Sequence, residues 1–127
     1  MIKEKLFQCD ICGCLVKSLN RPVLGLICCD EEMIELKPET GDLASENHLP
    51  FPENLVEKQF RTGKHPHPMV KAHYIDFMQV VSDRYVFTQY FFPYDRIVFR
   101  LPLFFRGEVK LFSHCLIHGF FEYTYEI

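Results

Sequence analysis

The chain has 127 residues, 48% of them hydrophobic, and a formal net charge of −3 at pH 7. This length suits one compact domain, or one domain with a small metal-stabilised unit. The charge excludes the strongly basic surface that binding to nucleic acid or an anionic membrane requires. No apolar run is long enough for a signal peptide or a bilayer-spanning helix. We therefore expect a cytoplasmic protein that binds neither nucleic acid nor membrane.

Cysteines are concentrated near the start of the chain. The six are Cys9, Cys12, Cys14, Cys28, Cys29 and Cys115. Cys9-x-x-Cys12 has the spacing of a metal knuckle, and the lack of a signal sequence favours metal binding over disulfides. A segment this short cannot bury enough apolar surface to fold on its own core, so a bound metal would have to stabilise it. We predict a metal-bound domain at residues 1–36.

The second cysteine pair, Cys28-Cys29, has no intervening residue. Adjacent residues of an extended chain point in opposite directions, so both can bind one ion only if the backbone is kinked there. Sulfur-only ligation suits iron and zinc equally, and a purely structural zinc knuckle remains an alternative. Cys14 has no obvious partner, and we expect it to be a small buried apolar residue.

The rest of the chain has the pattern of a β domain. Residues 37–42 are polar and contain a Pro and a Gly, so we predict a linker there and a second domain at 43–127. Short segments rich in β-formers then alternate with turns; they lie at 56–60, 73–81, 85–92, 97–103, 109–112 and 120–127. The 13 Phe and 6 Tyr also favour pleated, half-buried surfaces. Together these features predict a β-sandwich.

The segment 73–81 alternates regularly enough to assign faces. The prediction places Ile75, Phe77, Gln79 and Val81 on one face, and Tyr74, Asp76, Met78 and Val80 on the other.

A second group of metal-ligating residues is spread over this β domain. Its members are His48, His67, His73, Cys115 and His118. Taken singly, each histidine could be an ordinary hydrogen-bonded core residue. Taken together they offer five ligands, one more than tetrahedral zinc normally takes, and imidazole with one thiolate suits iron. If the four imidazoles lie in a plane above the sulfur, the sixth position is open for redox chemistry on a diatomic species.

These motifs resemble those of one family. Cys9-x-x-Cys12-Gly13 followed by Cys28-Cys29 resembles the desulforedoxin-type iron site. Three further motifs resemble the catalytic site of superoxide reductases: Glu46-x-His48-x-Pro50, His67-Pro68-Met69-x-x-x-His73-Tyr74 and Cys115-x-x-His118-Gly119. The resemblance covers essentially the whole chain, in the right order. It is to the desulfoferrodoxin family of superoxide reductases, whose form without the first iron is neelaredoxin.

The resemblance implies a fold, a ligand set and an oligomeric state. The fold would be mainly β, with a small desulforedoxin-like metal-bound domain followed by an immunoglobulin-like β-sandwich, and the protein would be a homodimer. The first iron, or zinc in its place, would be held by Cys9, Cys12, Cys28 and Cys29. The equatorial nitrogen ligands of the second iron would be His48, His67, His73 and His118. Cys115 would be its axial sulfur, and Glu46 the carboxylate that occupies the open position in the ferric state. His65 and His114 match no ligand position, and we expect them to be loop residues, with a supporting place just outside the ligands as the alternative.

The chain departs from the family pattern at Asn47. The family usually has lysine between the Glu and the His of the first motif, where it is thought to attract the anionic substrate and order a water. Asn47 can hydrogen-bond a water but carries no charge. Lys64 and Lys71 are near other ligands in sequence and are candidates to replace that charge. We expect activity that is retained but altered.

The activity implied by the resemblance is reduction of superoxide to hydrogen peroxide, followed by re-reduction of the iron by a donor such as rubredoxin or a reductase. Two other interpretations of the function remain open. One is an iron electron carrier or redox sensor with little superoxide turnover. The other is a zinc-ribbon binding module in which the histidines are incidental.

Overall fold

A computed structural model describes residues 2–40 and 46–127. The predicted linker at 37–42 and the predicted start of the second domain at 43 therefore lie partly outside the described residues. The chain divides into two compact units, Ile2–Lys37 and Pro38–Ile127. Five strands belong to the first unit: β1 (Leu6–Gln8), β2 (Leu15–Lys17), β3 (Ile27–Cys28), β4 (Glu31–Glu32) and β5 (Ile34–Leu36). Seven belong to the second: β6 (Pro50–Asn54), β7 (Gln59–Thr62), β8 (Ile75–Val81), β9 (Val86–Tyr90), β10 (Phe99–Arg100), β11 (Glu108–Cys115) and β12 (Gly119–Glu126).

The first unit has very little apolar core. Its antiparallel sheet has the order β2-β1-β5, and β3 and β4 form a separate hairpin. Phe7, Cys9 and Met33 are the buried residues of its core cluster. Leu24 is 97% exposed and Leu19 is 77% exposed. A core this small does not stabilise an independent unit, so the stability of this one must come from elsewhere.

The second unit is a sandwich of two antiparallel sheets. The larger sheet has the order β12-β11-β8-β9 and the smaller the order β10-β7-β6. Their inner faces share one core, whose fully buried members include Phe60, Phe99, Val109 and Leu111. The prediction of a mainly β protein, with a small metal-type domain and an immunoglobulin-like sandwich, is confirmed. No helix in the described residues is long and apolar enough to cross a bilayer.

The smaller sheet differs from the sequence prediction in two places. Val56 and Lys58 were predicted in an extended stretch, but they lie in a turn: Lys58 has φ 53° and Val56 is 95% exposed. The strand itself begins at Gln59. The sequence analysis also missed β6, because Pro50 and Pro52 argue against a central strand. β6 is an edge strand, where proline is tolerated because no ladder donor is required of it.

An irregularity in β8 changes the predicted assignment of faces. Across the β8–β11 ladder His114 pairs with Phe77 and Cys115 with Ile75, so Asp76 is one extra residue on β8. Such a bulge reverses the alternation of side chains along the strand. Ile75 therefore lies in the core with Met78 and Val80. The prediction that Ile75 and Phe77 share one face of the strand is wrong.

Tyr125 joins the two sheets next to the segment that follows His48. Its hydroxyl donates a 2.8 Å hydrogen bond to the carbonyl oxygen of Pro50, and its ring lies 5.1 Å from that of Phe60. Burial raises the pKa of Tyr125 from 10.0 to about 12, because a phenolate could neither be hydrated there nor donate the bond.

We expect Tyr125→Phe to lower the free energy of unfolding by about 1 kcal/mol. The unfolded tyrosine ionises near pH 10 and the folded one near 12, so the folded state holds its proton more tightly and stability falls as the pH rises between these values. That part of the alkaline loss should be absent in Tyr125→Phe. Urea titrations at pH 8, 10 and 11 measure it, with Tyr90→Phe at an exposed position as the control. An unchanged alkaline slope would contradict the assignment.

Candidate metal centres

The first cysteine pair lies in a tight backbone knuckle. The amide of Gly13 donates to the carbonyl of Cys9, and the amide of Cys9 donates to the carbonyl of Cys14, both at 2.9 Å. Gly13 has φ +77°, a conformation that residues with a Cβ adopt only at a cost. Hydrogen bonds from the backbone amides of Cys12 and then Ile11 lower the pKa of the Cys9 thiol to about 7. The knuckle thus stabilises a thiolate before any ion is considered.

The second cysteine pair lies at a two-residue hairpin between β3 and β4. Cys28 pairs with Glu31, and the two residues between them, Cys29 and Asp30, have φ 53° and 61°. Positive φ at both central positions is the requirement of a type I′ turn. The kink that adjacent ligands require is therefore present.

These two elements bring four sulfurs together. The Sγ atoms of Cys9, Cys12, Cys28 and Cys29 all lie within 4.8 Å of one another. The neighbouring sulfurs of Cys9 and Cys12 raise the pKa of Cys28, and those of Cys12 and Cys9 raise the pKa of Cys29. Four thiolates at this spacing repel one another unless a cation lies between them. The group therefore fits a thiophilic divalent ion, and both iron and zinc accept four sulfurs.

Cys14 lies outside this group. The prediction that it is buried is wrong, because the residue is exposed. Its Sγ makes a 3.9 Å contact with the carbonyl oxygen of Leu15. The residue belongs to the knuckle only through its backbone carbonyl.

The four predicted histidine ligands form a closed ring of side chains in the sandwich unit. Ring centroids are 4.8 Å apart for His48 and His67 and 4.7 Å apart for His67 and His73. The ring is closed by His73 and His118 at 5.1 Å and by His118 and His48 at 4.7 Å. The ligand atoms of His48, His73, Cys115 and His118 all lie within 4.8 Å of one another. His67 is outside that tighter group, but its ring contacts those of His48 and His73.

His48 is held in place by β11 and β12. The hydroxyl of Ser113, a fully buried residue, donates to the backbone carbonyl of His48. The ring of Phe121 stacks on the imidazole at 4.6 Å with an interplanar angle of 14°. Glu39 lies alongside the same part of β12, with its amide donating to the carbonyl of Phe120 at 2.9 Å. His48 is therefore fixed by two strands that also adjoin other predicted ligands, since β11 ends at Cys115 and β12 begins directly after His118.

His67 and His73 are presented by the loop between β7 and β8. His67 Nδ1 lies 2.8 Å from the carbonyl oxygen of Pro68, which requires a proton on Nδ1 and leaves Nε2 as the basic nitrogen. The backbones of Val70 and His73 hydrogen-bond each other, which closes the loop between the two histidines. Burial lowers the pKa of His67 to about 4, so its imidazole is neutral near pH 7, as a metal ligand must be.

The buried nitrogens of this ring fit a metal ion. Nε2 of His67 and Nε2 of His73 are both buried and have no hydrogen-bond partner within the described ranges. A buried polar atom without a partner costs about 1–3 kcal/mol, and native structures rarely retain one without a reason. Two such atoms in one ring of imidazoles are explained by an ion that both would ligate.

Cys115 ends β11 with its side chain in the sandwich core. The residue is fully buried, and its Sγ lies 3.7 Å from Nδ1 of His118. Burial raises the pKa of this thiol, while hydrogen bonds from the backbone amides of His118 and Ile117 act in the opposite direction. A divalent ion would supply the positive charge that the buried thiolate otherwise lacks.

A pocket opens over the ring of imidazoles. It is lined by Asn47, His48, His65, Pro66, His67, Pro68, His73 and His118. No Lys, Arg, Asp or Glu side chain is among these described lining residues. Glu46 is exposed and does not line the pocket, although the Lys64 amide donates to its carbonyl at 3.1 Å. The geometry brings the predicted Asn47 to the pocket and leaves the predicted Glu46 outside it.

The two other histidines have different surroundings. His65 is an exposed residue of the pocket rim. The prediction that His114 is a loop residue is wrong, because it lies in β11 and is 2% exposed. Its Nδ1 donates a 2.6 Å hydrogen bond to Oδ1 of Asp76.

Sequence reasoning missed three residues that support the site: Ser113, Phe121 and Asp76. The position of Ser113, two residues before Cys115 on the same strand face, was a signal that could have been used. The sequence around Asp76 contains no such signal, since only the bulge in β8 brings this residue next to His114.

We expect Cys12→Ser to remove metal from the first site, because a hydroxyl is a poor ligand where a thiolate is required. Cys14→Ser is the matched control, since it changes the same atom in the same knuckle outside the group of four sulfurs. Metal analysis of the purified variants should show the loss of one equivalent in Cys12→Ser alone. Equal metal content in the two variants would rule out this site.

We expect His67→Ala to lower the metal content of the second site and leave the first site filled. His65→Ala, two residues away and exposed, should keep both equivalents. Metal analysis and visible absorption of the two variants test this pair. A loss of metal in His65→Ala as large as in His67→Ala would contradict the ligand assignment.

Comparison with known proteins identifies the family of this chain. The sequence model of the family described as Desulfoferrodoxin matches residues 40–124. The chain is 30% identical over 118 residues to a desulfoferrodoxin of Desulfarculus baarsii, covering 91% of each protein. It is 29% identical over 118 residues to a desulfoferrodoxin of Syntrophotalea carbinolica, covering 92% of this chain and 93% of that one. The fold is similar to that of a superoxide reductase of Treponema pallidum, with a TM-score of 0.71 at 16% identity over 95% of this chain and 97% of the other. The chain therefore belongs to the desulfoferrodoxin family.

Proposed function

We propose that the chain is a superoxide reductase that reduces superoxide to hydrogen peroxide at the histidine and cysteine centre, in defence against oxidative stress. The observation that carries this proposal is the closed ring of four imidazoles next to one buried thiol, with a pocket on the open side. Five donors exceed the needs of tetrahedral zinc and suit iron. Membership of the desulfoferrodoxin family supports the same choice of metal.

The reaction transfers one electron and two protons to superoxide and yields hydrogen peroxide. Ferrous iron, when bound, supplies the electron and an open coordination position for the substrate. An external donor such as rubredoxin or a reductase must then return an electron. Iron at the four-cysteine group is a candidate relay, and zinc there would leave that group purely structural.

The chain's own residues would shape access to this centre. The ring of imidazoles and the thiol of Cys115 would hold the iron, and the pocket would give the substrate access to it. Asn47 can hydrogen-bond a water at the rim and so hold a proton source near the substrate. Glu46 would reach the open position only through movement of its segment, since its side chain is outside the pocket lining.

A second candidate function is favoured by the lack of charge in this pocket. Without a Lys or Arg side chain among the described lining residues, attraction of an anionic substrate is weaker. An iron electron carrier or redox sensor would not need such attraction. The homodimer that the family resemblance implies is also part of the proposal, and so is the cytoplasmic location expected from the sequence.

The first experiment is pulse generation of superoxide in the presence of the reduced, iron-loaded protein. We expect rapid oxidation of the ferrous centre, one equivalent of hydrogen peroxide and no dioxygen released from the substrate. His67→Ala should lose this reaction and His65→Ala should keep it. Slow oxidation of a fully loaded centre would favour the electron carrier instead.

We expect Asn47→Lys to increase the second-order rate with superoxide by about tenfold at low salt and to steepen its decrease with ionic strength. The reason is that a cation at the rim attracts the anionic substrate. Rates measured from 10 to 500 mM salt test this. Thr124→Lys is the control, because it adds the same charge at an exposed position on β12. Equal salt dependence in wild type and Asn47→Lys would show that another cation, such as Lys64, already supplies the attraction.

A further inference from the structure

His114 and Asp76 form a buried pair that the proposed reaction does not use. His114 Nδ1 lies 2.6 Å from Asp76 Oδ1, and the side chains are 3% and 21% exposed. A carboxylate only accepts hydrogen bonds, so Nδ1 carries the proton. Buried polar pairs of this kind are costly to assemble and usually have a structural or functional reason.

The imidazole of His114 is also fixed from its face. The ring of Phe77 stacks on it at 5.2 Å with an interplanar angle of 4°, and that of Phe120 lies 6.4 Å away. The bulge in β8 brings Asp76 next to His114 while Cys115 stays paired with Ile75. Hydrogen bond and stacking together determine both the position and the rotation of this side chain.

The pair lies directly beside Cys115. His114 is the residue before it, so anything that holds the His114 side chain also limits the backbone from which the thiol projects. After the bulge the backbone is held again by a 3.2 Å hydrogen bond from the Leu116 amide to the carbonyl of Tyr74. Cys115 is thus fixed on both sides along the chain.

We propose that Asp76 and His114 are a positioning pair for Cys115, which holds its thiolate against the bound metal. The inference rests on the ligand set of the proposed function. Neither residue touches the metal or the substrate; they act through Cys115.

One physical effect supports this role. A hydrogen bond that fixes the residue next to a ligand reduces the freedom of that ligand, and loss of a partner that orients a ligand typically lowers metal affinity about 10- to 100-fold.

The test uses the whole chain carrying Cys12→Ser, which weakens the first site so that cobalt reports chiefly on the second centre. His114→Phe removes the hydrogen bond and keeps a ring to stack on Phe77. His114→Gln retains a donor for the carboxylate. Asp76→Asn keeps hydrogen-bonding capacity and removes the charge. Gln79→Leu is the matched control, because Gln79 Nε2 donates a 2.7 Å hydrogen bond to Thr88 Oγ1 between β8 and β9 of the same sheet.

The readouts are cobalt affinity by chelator competition, the thiolate-to-cobalt absorption band and the thermal midpoint. We expect His114→Phe to lower cobalt affinity about 10- to 100-fold and to shift the band, with most of both restored in His114→Gln. Asp76→Asn should retain most of the affinity, because its amide oxygen can still accept the hydrogen bond from His114 Nδ1. Gln79→Leu should lower the thermal midpoint without moving affinity or band.

Three results would overturn the inference. Wild-type affinity and band in His114→Phe would show that the pair does not position Cys115. Equal shifts in Gln79→Leu and His114→Phe at equal loss of stability would reduce the effect to general destabilisation. Absence of any thiolate band in the Cys12→Ser parent would remove Cys115 from the ligand set, and the proposed function would fail with the inference.

Discussion

The direction of the Cys115 side chain is the constraint on which the sandwich site depends. Side chains alternate along a strand, so a thiol at the end of β11 points either into the core or away from it. The bulge at Asp76 re-aligns β8 with β11 at this point, and Cys115 remains on the core side with Val109 and Leu111. His114 is thereby directed to the opposite face. A slip of one residue would exchange the two and leave an imidazole where the sulfur is needed.

The imidazoles reach the same point from three separate segments. His48 is held by a hydrogen bond from β11 and by stacking on β12, His67 and His73 by one closed loop, and His118 by the hairpin that follows Cys115. Holding these imidazoles so close costs free energy, since buried nitrogens of His67 and His73 find no protein partner in the described parts of the chain. Binding of a metal ion would remove that cost, so metal affinity and the stability of this region are coupled.

The two candidate metal centres differ in what the polypeptide supplies by itself. The sandwich has an extensive apolar core that includes Phe60, Phe99 and Leu111, and it positions its ligands from packed strands. The unit at residues 2–37 has a core of only a few side chains and positions its sulfurs by two turns. In that unit the backbone conformation at Gly13, Cys29 and Asp30 positions the ligands, whereas in the sandwich they are positioned by side-chain packing. Its stability should therefore depend far more on the ion.

The sequence by itself determined the β class, the family and the two groups of candidate ligands, because ligand chemistry and spacing along the chain are local properties. It also predicted the kink at Cys28-Cys29, which follows from the alternation of adjacent residues. Only the tertiary structure decided that β6 forms despite its prolines, since a free edge requires no amide donor there. Only the tertiary structure, likewise, places Asp76 against His114 and Ser113 against His48, residues 38 and 65 positions apart. Contacts of that kind depend on strand register and a single bulge, and neither leaves a periodic pattern in the sequence.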